Sequence, residues 1–282
     1  MSYRNILVYL NDARRARKIV QHAAEIARAF EARLVGLHVT VGAGGREGSG
    51  PALAIEGLQF SRNEEADHLR AVFEEVTTQC RVSGEFRQIK AGGHRPIDIV
   101  IARAFAADLV VAGQTSRDWM LSPMELPAHV IRECGRPVLI VSENAEGQAL
   151  PQRVVLAWNQ QREATRAIYD ALPLLRGASA IELLVLEEPG AKGRFDGYSD
   201  PTLGAPNDFV AGLVEHGVRP VIVTMKSSGT PIGQQICARA KDQRADLLVM
   251  GAYGQSPMRE LLLGGPTHYV LSNMSTPTLF SH

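Results

Sequence analysis

Asp246–Gly251 reads DLLVMG, and it repeats Asp108–Gly113, which reads DLVVAG. Both are apolar runs that end in glycine, and such runs are typical of strands buried on both faces of a sheet. A closing apolar run follows at a similar distance in each case, RPVLIV at Arg136–Val141 and TPTLF at Thr276–Phe280. The repeated order and spacing indicate two copies of one module within the chain.

The segments that precede these runs are repeated as well. ILVYLN at Ile6–Asn11 corresponds to VVLAWN at Val154–Asn159, and LVGLHV at Leu34–Val39 corresponds to IELLVL at Ile181–Leu186. Between the two runs of each copy, apolar residues recur with the period of a helix that packs on a sheet. These residues are Ala16, Val20, Ala23 and Ala27 in the first copy, and Ala164, Ile168, Ala171 and Leu175 in the second.

Strands that alternate with amphipathic helices predict βαβ units with right-handed crossovers. We therefore expect an α/β fold in each copy, an open parallel sheet of about five strands with helices on both faces. The predicted domains are residues 1–145 and 151–282, and the polar segment Ser142–Gln152 is interpreted as the linker. Two segments rich in Gly or Pro, Val41–Gly57 and Pro189–Asn207, are interpreted as mobile lids or solvated connectors at the carboxyl edges of the sheets.

Composition excludes several classes of function. The 30 basic residues balance the 30 acidic ones, and neither copy has a large positive net charge. A nucleic-acid-binding domain is therefore not expected. Cys80, Cys134 and Cys237 have no CxxC spacing, which predicts reduced thiols and neither a zinc site nor a disulfide framework. The eight histidines show no ligand spacing. No signal peptide or membrane span is recognised, so a cytoplasmic location is expected.

The strongest local motif is GAYGQSPMRELLLGGPT at Gly251–Thr267, directly after a predicted strand. Glycines allow close approach of backbone N–H groups, and a helix N-terminus favours an anion, so the motif suits a phosphate. Ser256, Arg259 and Thr267 would add side-chain donors. The alternative is that these glycines only form a turn and a helix cap.

The spacing Gly251-x2-Gly254-x9-Gly264, after ADLLVMG and before a closing strand with proline, resembles the universal stress protein family. The likeness covers essentially the whole chain and resembles the tandem type, with two such domains in one polypeptide. It is densest at Ala157–Leu175 and Thr230–Ala240. The resemblance implies Rossmann-like (adenine nucleotide alpha hydrolase-like) domains, an ATP-binding stress-response or regulatory role and, for ATP, possible Mg2+.

The resemblance also implies which residues would meet the nucleotide. Asn159 stands where nucleotide-binding members usually have Asp; it can bond a ribose hydroxyl but brings no charge for Mg2+. Leu186 would line the adenine, and Met250 and Gly251 would meet the base and ribose.

The remaining implied residues belong to the phosphate loop. Gly254 and Gly264 match its glycines, and Gly265 stands where the family usually has Ser or Thr. Thr267 lies close enough in sequence to replace the missing hydroxyl, and Ser256 is a further donor.

The first copy lacks these glycines. After Gly113 it reads QTSRDWMLSPMELPAHV, in which Pro123 and Pro127 stiffen the segment and Trp119 would fill the nucleotide's space. We interpret residues 1–145 as a structural partner module; the alternative is that they bind a different ligand at the same edge.

Three functions follow in order of support. The first is a nucleotide-responsive stress protein that binds an adenine nucleotide and an unknown protein partner. The second is a scaffold of the same fold without nucleotide, and the third is a slow ATP hydrolase, for which no general base can be named. The resemblance also implies pairing of final strands, either Val138–Val141 with Thr278–Phe280 within one chain or between the chains of a homodimer.

Overall fold

The computed structural model describes residues 2–40, 52–114, 126–143, 149–187, 206–226, 229–254 and 265–282. The chain divides into two compact units, an N-terminal unit at Ser2–Glu143 and a C-terminal unit at Asn144–His282. Each unit is an α/β body with one parallel sheet, which confirms the predicted fold class.

The sheet of the N-terminal unit has the strand order β3-β2-β1-β4-β5, and all its described strand pairs are parallel. Helices α1 and α2 pack together, as do α3 and α4. The elements are β1 (Asn5–Tyr9), α1 (Ala13–Phe30), β2 (Arg33–Thr40), α2 (Ala52–Cys80), β3 (Gly84–Lys90), α3 (Pro96–Ala104), β4 (Leu109–Gly113), α4 (Leu126–Glu133) and β5 (Val138–Val141).

The C-terminal unit repeats this topology, with the order β8-β7-β6-β9-β10 and parallel pairing between its described strands. Helix α7 packs against α8 in this unit, and α5 packs on β9 and β10. The elements are β6 (Arg153–Ala157), α5 (Arg162–Leu175), β7 (Ala180–Glu187), α6 (Pro206–Glu215), β8 (Val221–Lys226), α7 (Ile232–Asp242), β9 (Leu247–Gly251), α8 (Pro266–Asn273) and β10 (Thr278–Ser281).

The helices that follow the first strand of each unit form as their sequences predict. All eight residues of the two predicted apolar faces are buried, so the spacing correctly identified the sides that pack on the sheets. Asp12 caps α1, because its side chain accepts a hydrogen bond from the backbone N–H of Arg14.

Two predicted loop segments were too long. Val41–Gly57 was interpreted as a connector, but α2 already begins at Ala52. The predicted segment Pro189–Asn207 likewise overlaps α6, which begins at Pro206. Proline is well suited to the first position of a helix, so Pro206 begins α6 and does not belong to a loop. The rest of both segments lies outside the described residues.

His38 is a packed strand residue. Its side chain is buried on β2, and Nδ1 lies 2.8 Å from the carbonyl oxygen of Leu10. Within the described residues, no helix is both long and apolar enough to cross a membrane.

Candidate functional site

The strand order of the C-terminal unit creates a crevice at its carboxyl edge. Strand β7 follows β6 in the chain and lies on one side of it in the sheet, whereas β9 lies on the other side of β6. The connections that follow β6 and β9 therefore run in opposite directions across the sheet. Ligands of open α/β sheets bind at such a switch point. Ala157, the last residue of β6, pairs with Met250 beside it, which places the next residues of both strands at the mouth of the crevice.

Gly251 allows α5 to approach the end of β9 unusually closely. A Cβ at this position would lie 2.4 Å from the backbone nitrogen of Ala164 and 2.6 Å from the carbonyl carbon of Glu163. No side chain fits there without moving the helix backbone. The glycine is therefore required for packing, whether or not a ligand also needs it.

A hydrogen bond joins the end of β9 to the first turn of α8. The backbone N–H of Tyr253 donates to Oγ1 of Thr267 over 3.2 Å, and Thr267 is buried. Ala252 is held in the same way, since its N–H donates to the carbonyl oxygen of Ser281 at 2.9 Å. The residue after Tyr253, Gly254, is thus brought near the start of α8.

Helix α8 begins without a side-chain cap from the described residues. Gly265 is the N-cap and makes no side-chain capping bond, and Pro266 stands at the first helical position. The first N–H groups of a helix have no partner within it and carry partial positive charge. This end of α8 can therefore accept an anion.

Asn159 lies on the opposite side of the crevice, two residues beyond β6. Its Oδ1 accepts the backbone N–H of Gln161 at 3.2 Å, and the residue between them, Gln160, has a positive φ of 60°. The bond closes a turn that leads into α5, and Asn159 stays exposed. Its amide NH2 group, which is a donor, is the part of the side chain suited to a ligand.

Glu163 places a negative charge in the middle of this arrangement. It is 5% exposed, and a Cβ added at Gly254 would be 3.0 Å from its Oε2. Its Oε1 accepts from Nε of Arg162 at 2.5 Å, and its position in the first turn of α5 is favourable for a carboxylate. Glu163 was not predicted as a site residue, because acidic residues in a first helical turn are usually solvated.

The other predicted site residues are placed as follows. Met250 is buried within β9, and Leu186 is partly exposed near the end of β7. Gly254 is exposed and Gly265 partly so. Ser256 and Gly264, with Arg259, lie outside the described residues.

Trp158 packs within the unit. Its ring stacks on Phe209 with centroids 4.4 Å apart and planes 5° apart. Its Nε1 donates to Oγ1 of Thr165 at 3.0 Å. One face of the ring and its N–H group are therefore engaged by protein contacts.

The corresponding edge of the N-terminal unit is bridged by protein groups. Arg15, which matches Glu163 in the repeat, donates to the carbonyl oxygen of Gln114 just after β4 and pairs with Glu143 at 3.0 Å. A cavity at this edge, lined by Tyr9 and Gly113 among others, has a volume of about 10 Å³, room for about one water molecule. Burial raises the pKa of Tyr9 to about 12. Trp119 and Pro123 lie outside the described residues.

Potential metal ligands do not gather in the described parts of either unit, where no group of three or more His, Cys, Asp or Glu residues could hold an ion. The cysteines in these parts are all free thiols. Burial raises the pKa of Cys237 to about 11, so its thiol stays protonated and unreactive near neutral pH.

Comparison with known proteins gives a consistent result. The model of the universal stress protein family matches the chain twice, at residues 2–142 and 151–282. A universal stress protein from Archaeoglobus fulgidus has a similar structure, with a TM-score of 0.67, 15% identity and coverage of 98% of this chain and 95% of that one. A putative universal stress protein from Pseudomonas aeruginosa has a TM-score of 0.56, 14% identity and coverage of 99% and 93%.

A further solved structure is an Archaeoglobus fulgidus universal stress protein in complex with dAMP, with a TM-score of 0.33, 21% identity and coverage of 50% of this chain and 98% of that one. Comparison with curated proteins found no significant match.

Proposed function

Because this chain belongs to the universal stress protein family, we propose that it is a stress-response module that binds an adenine nucleotide through its C-terminal domain, residues 151–282. The nucleotide, ATP or a close relative, would lie at the carboxyl edge of the sheet between β6 and β9. Binding would change how the protein engages a protein partner, and no chemical step is part of the proposal.

The observation that carries this proposal is the hydrogen bond from Tyr253 to Thr267. It joins the exposed backbone at Gly254 to the N-terminus of α8 at Gly265, and the pairing of Ala157 with Met250 places the turn at Asn159 at the same edge of the sheet. These are a polar donor, a glycine and an uncapped helix end around a switch-point crevice, which together suit a phosphorylated ligand.

Each group has a role in the proposed complex. The amide of Asn159 would bond a ribose hydroxyl, and backbone N–H groups at Gly254 and in the first turn of α8 would contact phosphate. Thr267 already accepts a bond from Tyr253, but its hydroxyl hydrogen can still be donated. Asn159 offers no charge to Mg2+, so any metal would be held mainly by the phosphates.

A scaffold without nucleotide is the second candidate, and Glu163 favours it. Its buried carboxylate beside Gly254 repels phosphate. The N–H groups of Ala252 and Tyr253 are already bonded to protein. In that case the C-terminal domain would present the same surface to partners with no ligand in the crevice.

The N-terminal domain, residues 1–145, is proposed to be the structural partner of the nucleotide-binding one. Pairing of the final strands, within one chain or in a homodimer, remains part of this proposal. The molar mass of the full chain in solution, measured by light scattering, distinguishes a monomer from a homodimer.

Two measurements separate the nucleotide-binding and scaffold functions. First, the purified protein is denatured and the released small molecules are identified by chromatography, with adenine nucleotide as the expected result. Second, unfolding temperature is measured with ATP, dAMP, cAMP and adenosine, with and without Mg2+, because a ligand that binds only the native state must raise it. No released nucleotide, together with no shift at millimolar ligand, supports the scaffold.

A further inference from the structure

The amino-terminal edge of the N-terminal sheet, opposite the edge discussed so far, contains a cavity of about 70 Å³. It lies where the first residues of β1 and β2 meet the end of α3 and the turn after it. This is room for roughly five water molecules, enough for a ligand of a few non-hydrogen atoms and far too little for a nucleotide.

The walls of this cavity combine an apolar floor with a cationic rim. Leu7, Val35 and Leu37 form the floor, and the guanidinium-bearing side chains of Arg33, Arg87 and Arg103 line the rim. An apolar floor beneath positive charge suits a small anion with a hydrocarbon part.

The rim has fewer carboxylates than guanidinium groups. Glu85 forms ion pairs with two arginines: it pairs with Arg33, and its carboxylate accepts a hydrogen bond from Nε of Arg87 at 2.7 Å. Within the described residues, Arg103 makes no ion pair or side-chain hydrogen bond. Asp108 does not compensate it, because its Oδ2 accepts the backbone N–H groups of Arg4 and Asn5.

The second copy of the module reveals what Arg103 lacks. Arg103 in IARA matches Arg239 in CARA, and both precede a buried alanine near the end of the helix. Arg239 forms a bidentate ion pair with Glu182: its Nε donates to one carboxylate oxygen at 2.8 Å and its Nη2 to the other at 2.7 Å.

The residue of the first copy that corresponds to Glu182 is Val35. Strand register fixes this match, because Glu182 lies beside Val155 of β6 and Val35 lies beside Leu7 of β1. The N-terminal unit therefore keeps the arginine, replaces the acid by an apolar residue and has a cavity at that place.

We propose that this cavity binds a small aliphatic monocarboxylate of about two to four carbons. Its carboxylate pairs with Arg103 as that of Glu182 pairs with Arg239, and its hydrocarbon part lies on Leu7 and Val35. Carboxylate is the expected anion because the planar guanidinium group matches its two oxygens. The site is independent of nucleotide binding at the other domain.

The test is an NMR titration of the ¹⁵N-labelled full-length protein with butyrate at constant ionic strength. We expect saturable shifts of the backbone amides of Val35, Arg87 and Arg103, with a millimolar Kd, as is normal for so small a ligand. Butyramide, the neutral isostere, and chloride should bind at least tenfold more weakly. Absent shifts, or equal affinity for butyramide, overturn the proposal.

Two variants test the identity of the site. Val35→Glu supplies the internal carboxylate of the other copy and should weaken butyrate binding at least tenfold, and Arg103→Gln should do the same by removing the cation. Arg28→Gln is the matched control, because it removes an exposed charge from α1 and should leave the Kd unchanged. If Val35→Glu does not fold, Arg103→Gln alone decides; unchanged affinity in it overturns the proposal.

Discussion

The carboxylate of Glu163 faces Gly254 at the carboxyl edge of the C-terminal sheet, where an added Cβ would be 3.0 Å from Oε2. The same position of the repeat is Arg15 in the N-terminal unit, so the two copies have opposite charges at equivalent edges. A buried negative charge beside a phosphate-type loop must act on any anionic ligand, and its effect grows with the ligand's charge.

Glu163→Gln should tighten binding of ATP about tenfold, because it removes roughly 1–2 kcal/mol of charge repulsion at the loop. The gain should be smaller for AMP and absent for adenosine, which has no charge. Isothermal titration of the three ligands measures this order.

Glu215→Gln is the control for the Glu163 prediction, since it removes an exposed carboxylate at the end of α6. It should leave all three affinities unchanged. If Glu163→Gln raised the affinity for ATP and for adenosine equally, the carboxylate would act by altering the shape of the site and not through its charge.

Gly251→Ala should lower the free energy of unfolding by about 2 kcal/mol, the usual cost of forcing an extra carbon into a packed region. The cause is the backbone of α5, which lies 2.4 Å from the position of the new Cβ. Urea denaturation measures the change. Gly177→Ala is matched to it, because nothing lies within 4 Å of a Cβ at that position, and a similar loss in both variants would contradict the packing explanation.

Gly251 has one feature that the sequence predicts and one that it does not. Its place after an apolar strand was predicted, because a continuous run such as LLVM is distinctive of a buried parallel strand. Its close contact with Ala164 could not be predicted, since it depends on how α5 crosses β9. The burial of Glu163 has the same origin, so the charge at the site was missed.

The edge strands were also harder to predict than the central ones. Apolar runs in the sequence mark the positions of β1, β2, β4 and β5. Strand β3 at Gly84–Lys90 reads GEFRQIK, in which polar and charged residues interrupt the apolar ones. Every interior residue of β3 is only partly buried, because an edge strand has a neighbour on one side. Such a strand has no continuous apolar run to mark it in the sequence.

Stability should fall on acidification because of His22. Burial lowers its pKa from 6.5 to about 4, so between these values the unfolded chain binds a proton that the native protein does not. The contribution of His22 is therefore complete above pH 6.5 and is lost as the pH falls toward 4, by about 3 kcal/mol in all.

His22→Gln removes this dependence. Between pH 7.5 and pH 5, the parent protein should lose about 2 kcal/mol more unfolding free energy than the variant. Urea denaturation at both pH values gives the comparison. Parallel losses in the two proteins would mean that His22 is protonated equally in the native and unfolded states.

The stack of Trp158 on Phe209 should contribute about 0.5–1.5 kcal/mol beyond simple burial. Phe209→Leu should lower stability by at least this amount and shift the fluorescence of Trp158. The chain has two tryptophans, so the measurement is made with Trp119→Phe in the background. Phe105→Leu, at a residue that is 57% exposed, should change neither quantity, and an equal effect there would rule out the stack as the cause.

Calorimetric titration of ATP into the full-length protein, its Gly254→Val variant and the matched Gly177→Val variant tests nucleotide binding most directly. Both valines are introduced in the C-terminal unit, but only the first lies at the crevice. We expect saturable binding by the parent and by Gly177→Val, and at least a tenfold loss of affinity in Gly254→Val. Equal affinity in all three proteins, or no heat of binding in the parent at millimolar ATP, would contradict nucleotide binding at this crevice.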